Sequence, residues 1–174
     1  MVRKGAYLLK RLDRFIPENV LATLTLRFFG LTKIPLLLFV RPSVIELSRE
    51  RVVVKIPLRR RTRNHLRSMY FGALAMGADC AGGLIAMKLI QESSKNISLL
   101  FKTLTAEFLK RAEGDVLFIC NDGRVIFDLV TAAAESTERV ESPIHVIATV
   151  PGKFGDEPVA RFTLILSLKK KTYP

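Results

Sequence analysis

Residues 68–90, SMYFGALAMGADCAGGLIAMKLI, form one apolar stretch in which Asp79 is the only charge before Lys88. A segment that is apolar on most of its faces makes a buried helix rather than a surface one, and Ser68 stands where an N-cap is expected. The stretch is long enough to cross a bilayer, but a carboxylate near its centre costs ~2.5–3.5 kcal/mol on the insertion scale. The core helix of a globular domain is therefore the expectation. Gly72, Gly77, Gly82 and Gly83 each cost ~1 kcal/mol of helix propensity relative to Ala. Keeping four of them implies that another backbone packs close against this helix.

The rest of the chain must supply the cover. From Pro42 the apolar period becomes 2, and Val44–Ser48 and Arg51–Ile56 read as a hairpin around Arg49-Glu50. Within it Val52, Val54 and Ile56 share one face. Downstream, Ile97–Lys110, Val116–Cys120, Ile144–Val150 and the alternating run Val159–Leu168 read as strands. Val125, Ile126, Leu129, Val130 and Ala133 fall at helical spacing, with Asp122 as a possible cap. Asn121-Asp122-Gly123 could instead be a hairpin turn; the helix is the favoured reading. The order is a hairpin, one long buried helix, then about four antiparallel strands with a helix inserted. This predicts an α+β fold, an antiparallel sheet wrapped on one face around a central helix.

Upstream, residues 1–15 alternate basic and apolar pairs and read as a short amphipathic helix stopped by Pro17. Val20–Val40 is apolar but broken by Arg27, Gly30, Lys33 and Pro35. It predicts a pair of helical segments lying on a surface or covering a groove. The chain thus divides into a helical extension, residues 1–41, and a main domain, residues 42–174.

At 174 residues one domain with a real core is expected. The 49% hydrophobic and 25% charged composition excludes a disordered tail, a collagen and a bare coiled coil. The net charge of +12 is unevenly placed: residues 1–70 carry 16 Lys/Arg against 4 Asp/Glu, and residues 71–174 carry 12 of each. A polyanion, an anionic membrane or a phosphorylated ligand is the kind of partner such a half selects. Cys80 and Cys120 form no CxxC pair and exclude a disulfide scaffold. With no signal-peptide pattern in residues 1–14, a cytoplasmic location is the expectation.

Asp79 is the residue most suggestive of chemistry. A carboxylate in an apolar helix is costly unless hydrogen-bonded or paired. Lys88, nine residues on, lies about 180° around the helix and cannot be its partner. Two readings stand at this level: a general base or nucleophile with a raised pKa, or a structural Asp bonded to backbone amides or holding a dimer together. The amides near Tyr70, Phe71 and Gly72 start the same helix, where unsatisfied N–H groups can hold a developing oxyanion. Arg59–Arg63 is a basic run without interleaved aromatics, which argues against nucleic acid. No His, Cys and carboxylate cluster has metal-ligand spacing.

Asn64, then Phe71-Gly72-Ala73-Leu74, then Ala78-Asp79-Cys80-Ala81-Gly82-Gly83-Leu84 resembles the central-helix signature of hotdog-fold thioesterases of the phenylacetate-pathway type, in a poorly characterised bacterial branch of that superfamily. The resemblance spans residues 42–171 and implies a hotdog fold, a homodimer, and hydrolysis of fatty or other hydrophobic acyl thioesters. It implies catalytic roles for Asp79 as base or nucleophile, for Gly72 beside the oxyanion-binding amide, and for Asn64 in positioning water or the carboxylate. Tyr70 stands at the motif histidine and Phe71 at its first glycine. His65-Leu66-Arg67 replaces the glycine loop, which makes His65 a candidate for the missing histidine. Tyr70, Phe71 and His65, with Arg61 and Arg63 on the phosphates of an acyl-CoA, are the substrate-binding residues so implied; CoA enters as part of the substrate and no separate cofactor or metal is expected. Residues 20–40 are expected to line or cap an acyl tunnel. A non-catalytic acyl-chain or lipid-binding protein, and a peripheral membrane contact through residues 1–40, are the rival readings.

Overall fold

A computed structural model describes residues 17–171. The amphipathic helix expected over residues 1–15 lies outside the described residues. Helix α1 runs Glu18–Thr32 and α2 runs Pro35–Val40. The break falls at Lys33 and Ile34, because Pro35 has no N–H to continue α1 and its fixed φ suits the first turn of a new helix. Leu26, Leu37 and Val40 are buried in the same core as the sheet, so these helices belong to the folded body.

The sheet has six antiparallel strands: β1 Ser43–Leu47, β2 Val52–Ile56, β3 Ile97–Phe108, β4 Val116–Cys120, β5 Val140–Thr149 and β6 Pro158–Lys170. Their order is β1-β2-β4-β5-β6-β3, which leaves β1 and β3 as the edges. β1 is flanked by α1, whose Thr23 hydroxyl accepts the Val44 N–H at 2.8 Å. Val52, Val54, Ile56, Val116, Phe118, Ile144, Leu164, Leu166 and Leu168, which alternate along their strands, are all inaccessible, and Val53 and Ser167 between them are buried as well.

Helix α3, Phe71–Ser93, lies across the inward face of this sheet and contacts β2, β3, β4, β5 and β6. Among the described residues it alone is apolar and long enough to span a membrane, and here it is the core helix of a wrapped sheet. Ser68 is not its cap. Tyr70 holds that position with extended backbone and no side-chain cap bond, while the Ser68 side chain is held by Asn64. Nor do the helix glycines admit another backbone. A Cβ on Gly77 would lie 2.2 Å from the Phe118 ring, and one on Gly82 would lie 2.6 Å from Ile144 Cδ1. Large side chains of the sheet, rather than a neighbouring main chain, fill the space.

The favoured helix after β4 is present as α4, Gly123–Glu135, packed against α3, β5 and β6. Asp122 holds its N-cap position, but its carboxylate makes no cap bond and accepts the His145 N–H at 2.7 Å instead. Gly123 is the position that requires glycine. Its N–H reaches the Glu50 carbonyl at 3.1 Å, and a Cβ would fall 2.1 Å from the Arg49 carbonyl oxygen. The short helix α5, Pro151–Phe154, turns the chain from β5 into β6. Strand β5 begins four residues before the expected Ile144 and contains Pro143. Residues 143 and 145 point their backbone nitrogens the same way, and that of His145 leaves the ladder toward Asp122. The donor missing at Pro143 therefore costs no bond to β6.

Candidate active site

The loop from Pro57 to Tyr70 is tied to itself before it delivers the chain into α3. The Thr62 hydroxyl donates to the Pro57 carbonyl and accepts the Arg59 N–H, both at 2.8 Å. The Tyr70 N–H donates to the Thr62 carbonyl at 2.8 Å. Asn64 is the frame of the second half. Its Oδ1 accepts the N–H of Leu66 at 2.9 Å and of Ser68 at 3.2 Å, and its Nδ2 donates to Ser68 Oγ at 3.1 Å. This is an Asx-type turn closed by the side chain. Most of the hydrogen-bonding capacity of Asn64 is thus spent inside the loop, and its direct effect is on where α3 begins.

At that beginning the Ala73 and Leu74 N–H groups already bond the Tyr70 carbonyl. The Phe71 and Gly72 N–H groups come before them and have no acceptor among the described residues. They carry the partial positive charge of the helix end. Tyr70 and Phe71 are 48% and 59% exposed, with ring centroids 4.6 Å apart. The Tyr70 ring lies against Gly72, within 2.7 Å of where a Cβ would sit, so only glycine leaves room for it.

Asp79 is two turns further along. Seven residues bring it back to within ~20° of the Gly72 face, ~10 Å along the axis. It is half-buried and has no hydrogen-bond or ion-pair partner among the described residues. Burial pushes its carboxyl above the usual carboxylate range. Its neighbours on the face, Met76, Gly83 and Met87, are apolar and only partly covered. Lys88 faces the other way and pairs with Glu18 of α1 at 2.9 Å and with Glu92 at 3.7 Å. That pairing also places the start of α1 beside the face opposite Asp79. Helix α1 runs along β1 rather than along the Asp79 face.

The other candidates separate. Arg61 leans onto α2, its guanidinium 5.5 Å from the Phe39 ring centroid and its Nη1 3.3 Å from the Phe39 carbonyl oxygen. Arg63 and His65 are exposed on the loop. The Cys80 and Cys120 thiols are buried; burial pushes the first far up and the second to about 11, which makes neither a nucleophile. Two surface hollows of about 500 and 370 Å³ lie elsewhere, the first around Lys55 and Lys153, the second between Glu92 and Phe127. Three features were not singled out from the sequence. Met76 and Met87 lie toward the Asp79 side of α3, visible in the sequence as its i−3 and i+8 positions. Strand β3 is a twelve-residue edge on which Leu100, Leu104 and Phe108 are exposed. Phe101 of that edge approaches the Gly83 position at 3.7 Å, which puts the Asp79 face beside the open edge.

A sheet of six antiparallel strands wrapped about one long helix, in this order, is the hotdog fold. Among solved structures it is similar to a Pseudomonas aeruginosa protein of unknown function described as a probable thioesterase, at 25% identity and a TM-score of 0.71 over 86% of this chain and 96% of that one. A thioesterase family protein from Silicibacter pomeroyi matches at 17% identity and a TM-score of 0.62, over 86% and 99% of the two chains. A thioesterase from Haemophilus influenzae matches at 11% and 0.62, over 82% and 88%. No curated protein matches the sequence. The family model described as a domain of unknown function, DUF4442, matches residues 24–156, and the chain belongs to that family.

Proposed function

We propose that the protein hydrolyses thioesters of hydrophobic acyl groups, with acyl-CoA as the substrate class, and that it works in the cytoplasm as a homodimer. The observation that carries this reading is Asp79: a half-buried carboxylate with no partner among the described residues, on an apolar face shared with the α3 N-terminal amides that no described residue accepts. Burial without compensation raises the basicity of a carboxylate, as a general base requires. Asp79 removes a proton from water, whose oxygen attacks the thioester carbonyl carbon. An N–H at the start of α3 holds the oxyanion. Collapse of the tetrahedral intermediate breaks the C–S bond, and the departing thiolate takes up the proton.

The spacing supports the dimer. A single carbonyl must lie ~3 Å from both its base and its oxyanion donor, yet Gly72 and Asp79 of one helix are ~10 Å apart along the axis. An antiparallel α3 from a second copy would set its own Gly72 amide opposite Asp79. Strand β3 offers the edge for that pairing, being long, open and apolar on exposed positions. In this reading Asn64 holds the loop that aims the amides, Tyr70 and Phe71 wall the entrance, and His65, Arg61 and Arg63 lie on the approach for the CoA phosphates.

The contact of Tyr70 with Gly72 favours a second reading, an acyl-thioester-binding protein without turnover, because a ring in that place narrows the route to the amide. A panel of acyl-CoA chain lengths, assayed for released thiol and in parallel for binding, separates the two. Thiol release above the buffer rate supports the hydrolase; saturable binding with no release supports the binding protein.

A further inference from the structure

The outer side of α1 and α2 is an apolar face that no described residue covers. Leu24, Phe28 and Leu31 of α1 are 52%, 66% and 62% exposed, and Leu36 and Phe39 of α2 are 57% and 50%. In α1 the three fall within ~60° of one another around the helix axis. The opposite side of α1, with Leu26 and Gly30, is buried against the core. Five large apolar side chains on one flank of two adjacent helices exceed the scatter of exposed hydrophobics that a soluble surface carries.

Charge surrounds that face. Lys33 lies at the junction of the two helices and Arg41 at the end of α2, both exposed. The arginine loop reaches the same flank, because Arg61 stacks over Phe39 and bonds its carbonyl. Lys33, Arg41, Arg59, Arg60, Arg61 and Arg63 form no salt bridge with any described residue. Lys102 of β3 and Arg161 of β6 behave otherwise: they meet Glu141 and Glu107 respectively. No acid occurs from residue 19 to residue 45, and the seventeen residues ahead of α1 add five Lys/Arg against one Asp. Uncompensated cations around an exposed apolar helix face complement an interface of acyl chains beneath anionic headgroups.

We infer that the α1–α2 face docks the protein on an anionic lipid bilayer, with Phe28, Leu31 and Phe39 entering the acyl boundary and the arginine loop and Lys33 meeting the headgroups. A second copy is a poorer occupant. A two-fold contact through this patch would set each basic cluster against its own image, and the open β3 edge lies at the far end of the sheet.

The test is flotation of the full chain with phosphatidylcholine vesicles, with and without phosphatidylglycerol. The expected result is co-flotation with the phosphatidylglycerol vesicles alone, weakened by added salt. The paired change Phe28→Asp and Leu31→Asp should weaken it ~10-fold or more. So should Lys33→Glu with Arg60→Glu, which leaves the apolar face intact and guards against a folding defect in the first pair. Thioester hydrolysis in vesicle-free solution and the mass by light scattering should be unchanged in both. Failure of the wild type to float, or flotation of both paired variants like the wild type, would overturn the inference. A lowered mass for the Phe28/Leu31 variant would give the face to a second copy instead.

Discussion

Gly77 and Gly83 occupy the same helix, and the structure predicts opposite outcomes for the same substitution. Alanine in place of a helical glycine gains ~1 kcal/mol of propensity at either site. At Gly83 the new methyl would meet Phe101 at 3.7 Å, an ordinary contact, so the gain survives. At Gly77 it would lie 2.2 Å from the ring of Phe118, which is inaccessible to solvent and packed at 6.4 Å, centroid to centroid, from Phe162. Carbon atoms settle at ~3.5–4.0 Å, so the ring must retreat by more than 1 Å in a filled core, which costs ~1–3 kcal/mol. The two variants should therefore differ by ~1–3 kcal/mol. At ~2–4 °C per kcal/mol for a chain of this size, Gly83→Ala should melt ~2–12 °C above Gly77→Ala. Thermal unfolding followed by circular dichroism reads this directly. Equal melting, or a more stable Gly77→Ala, would refute the packing of α3 on β4.

Asn64→Ala removes the acceptor for two loop amides and should lower stability by ~1–3 kcal/mol, whereas Asn64→Asp keeps the acceptor and should recover most of it; chemical denaturation of both tests the loop frame. Arg61→Ala with Arg63→Ala should raise KM for acyl-CoA and flatten its salt dependence, and an unchanged KM at low salt would make the run a solvated loop without a role in binding. Leu100→Lys with Leu104→Lys on the β3 edge should give a monomer by light scattering and abolish hydrolysis together; a monomer with full activity would contradict the shared site.

The fold was largely legible because its signals are local. Val52, Val54 and Ile56 alternate within one strand, and Ile126, Leu129, Val130 and Ala133 repeat within one helix, so period alone identifies each. Errors came where a distant residue decides the local structure. Ser68 looks like a cap until Asn64, four residues earlier, takes its hydroxyl. Asp122 stands at the N-cap as read, but its carboxylate is claimed by His145 of β5 rather than by the helix amides. The glycines of α3 promise a close neighbour, but that the neighbours are Phe118 and Ile144 depends on how the sheet curls. The early start of β5 was hidden by Glu141, Ser142 and Pro143, which read as turn residues and are tolerated because β4 is too short to pair there. Asp79 stood out because a lone charge in an apolar helix is conspicuous without coordinates. The open β3 edge did not, and although residues 20–40 read as surface helices with a membrane contact as one reading, which of their side chains stay exposed is a property of the assembled chain.

The most direct measurement on the account is Asp79→Asn, read for turnover and stability together. Burial holds the folded carboxyl above the 3.8 of an ordinary Asp. The folded state therefore binds the proton more tightly, and stability falls as pH rises from about that value through the raised one. At neutral pH the ionised group carries a desolvation penalty that Asn does not. The variant should accordingly fold, dimerise and melt above the wild type at pH 7, with the advantage vanishing in acid. Its thioester hydrolysis should fall on the order of 10²-fold or more, and the acid limb of the wild-type kcat/KM profile should disappear with it. A folded Asp79→Asn protein that turns over acyl-CoA at the wild-type rate would contradict the account.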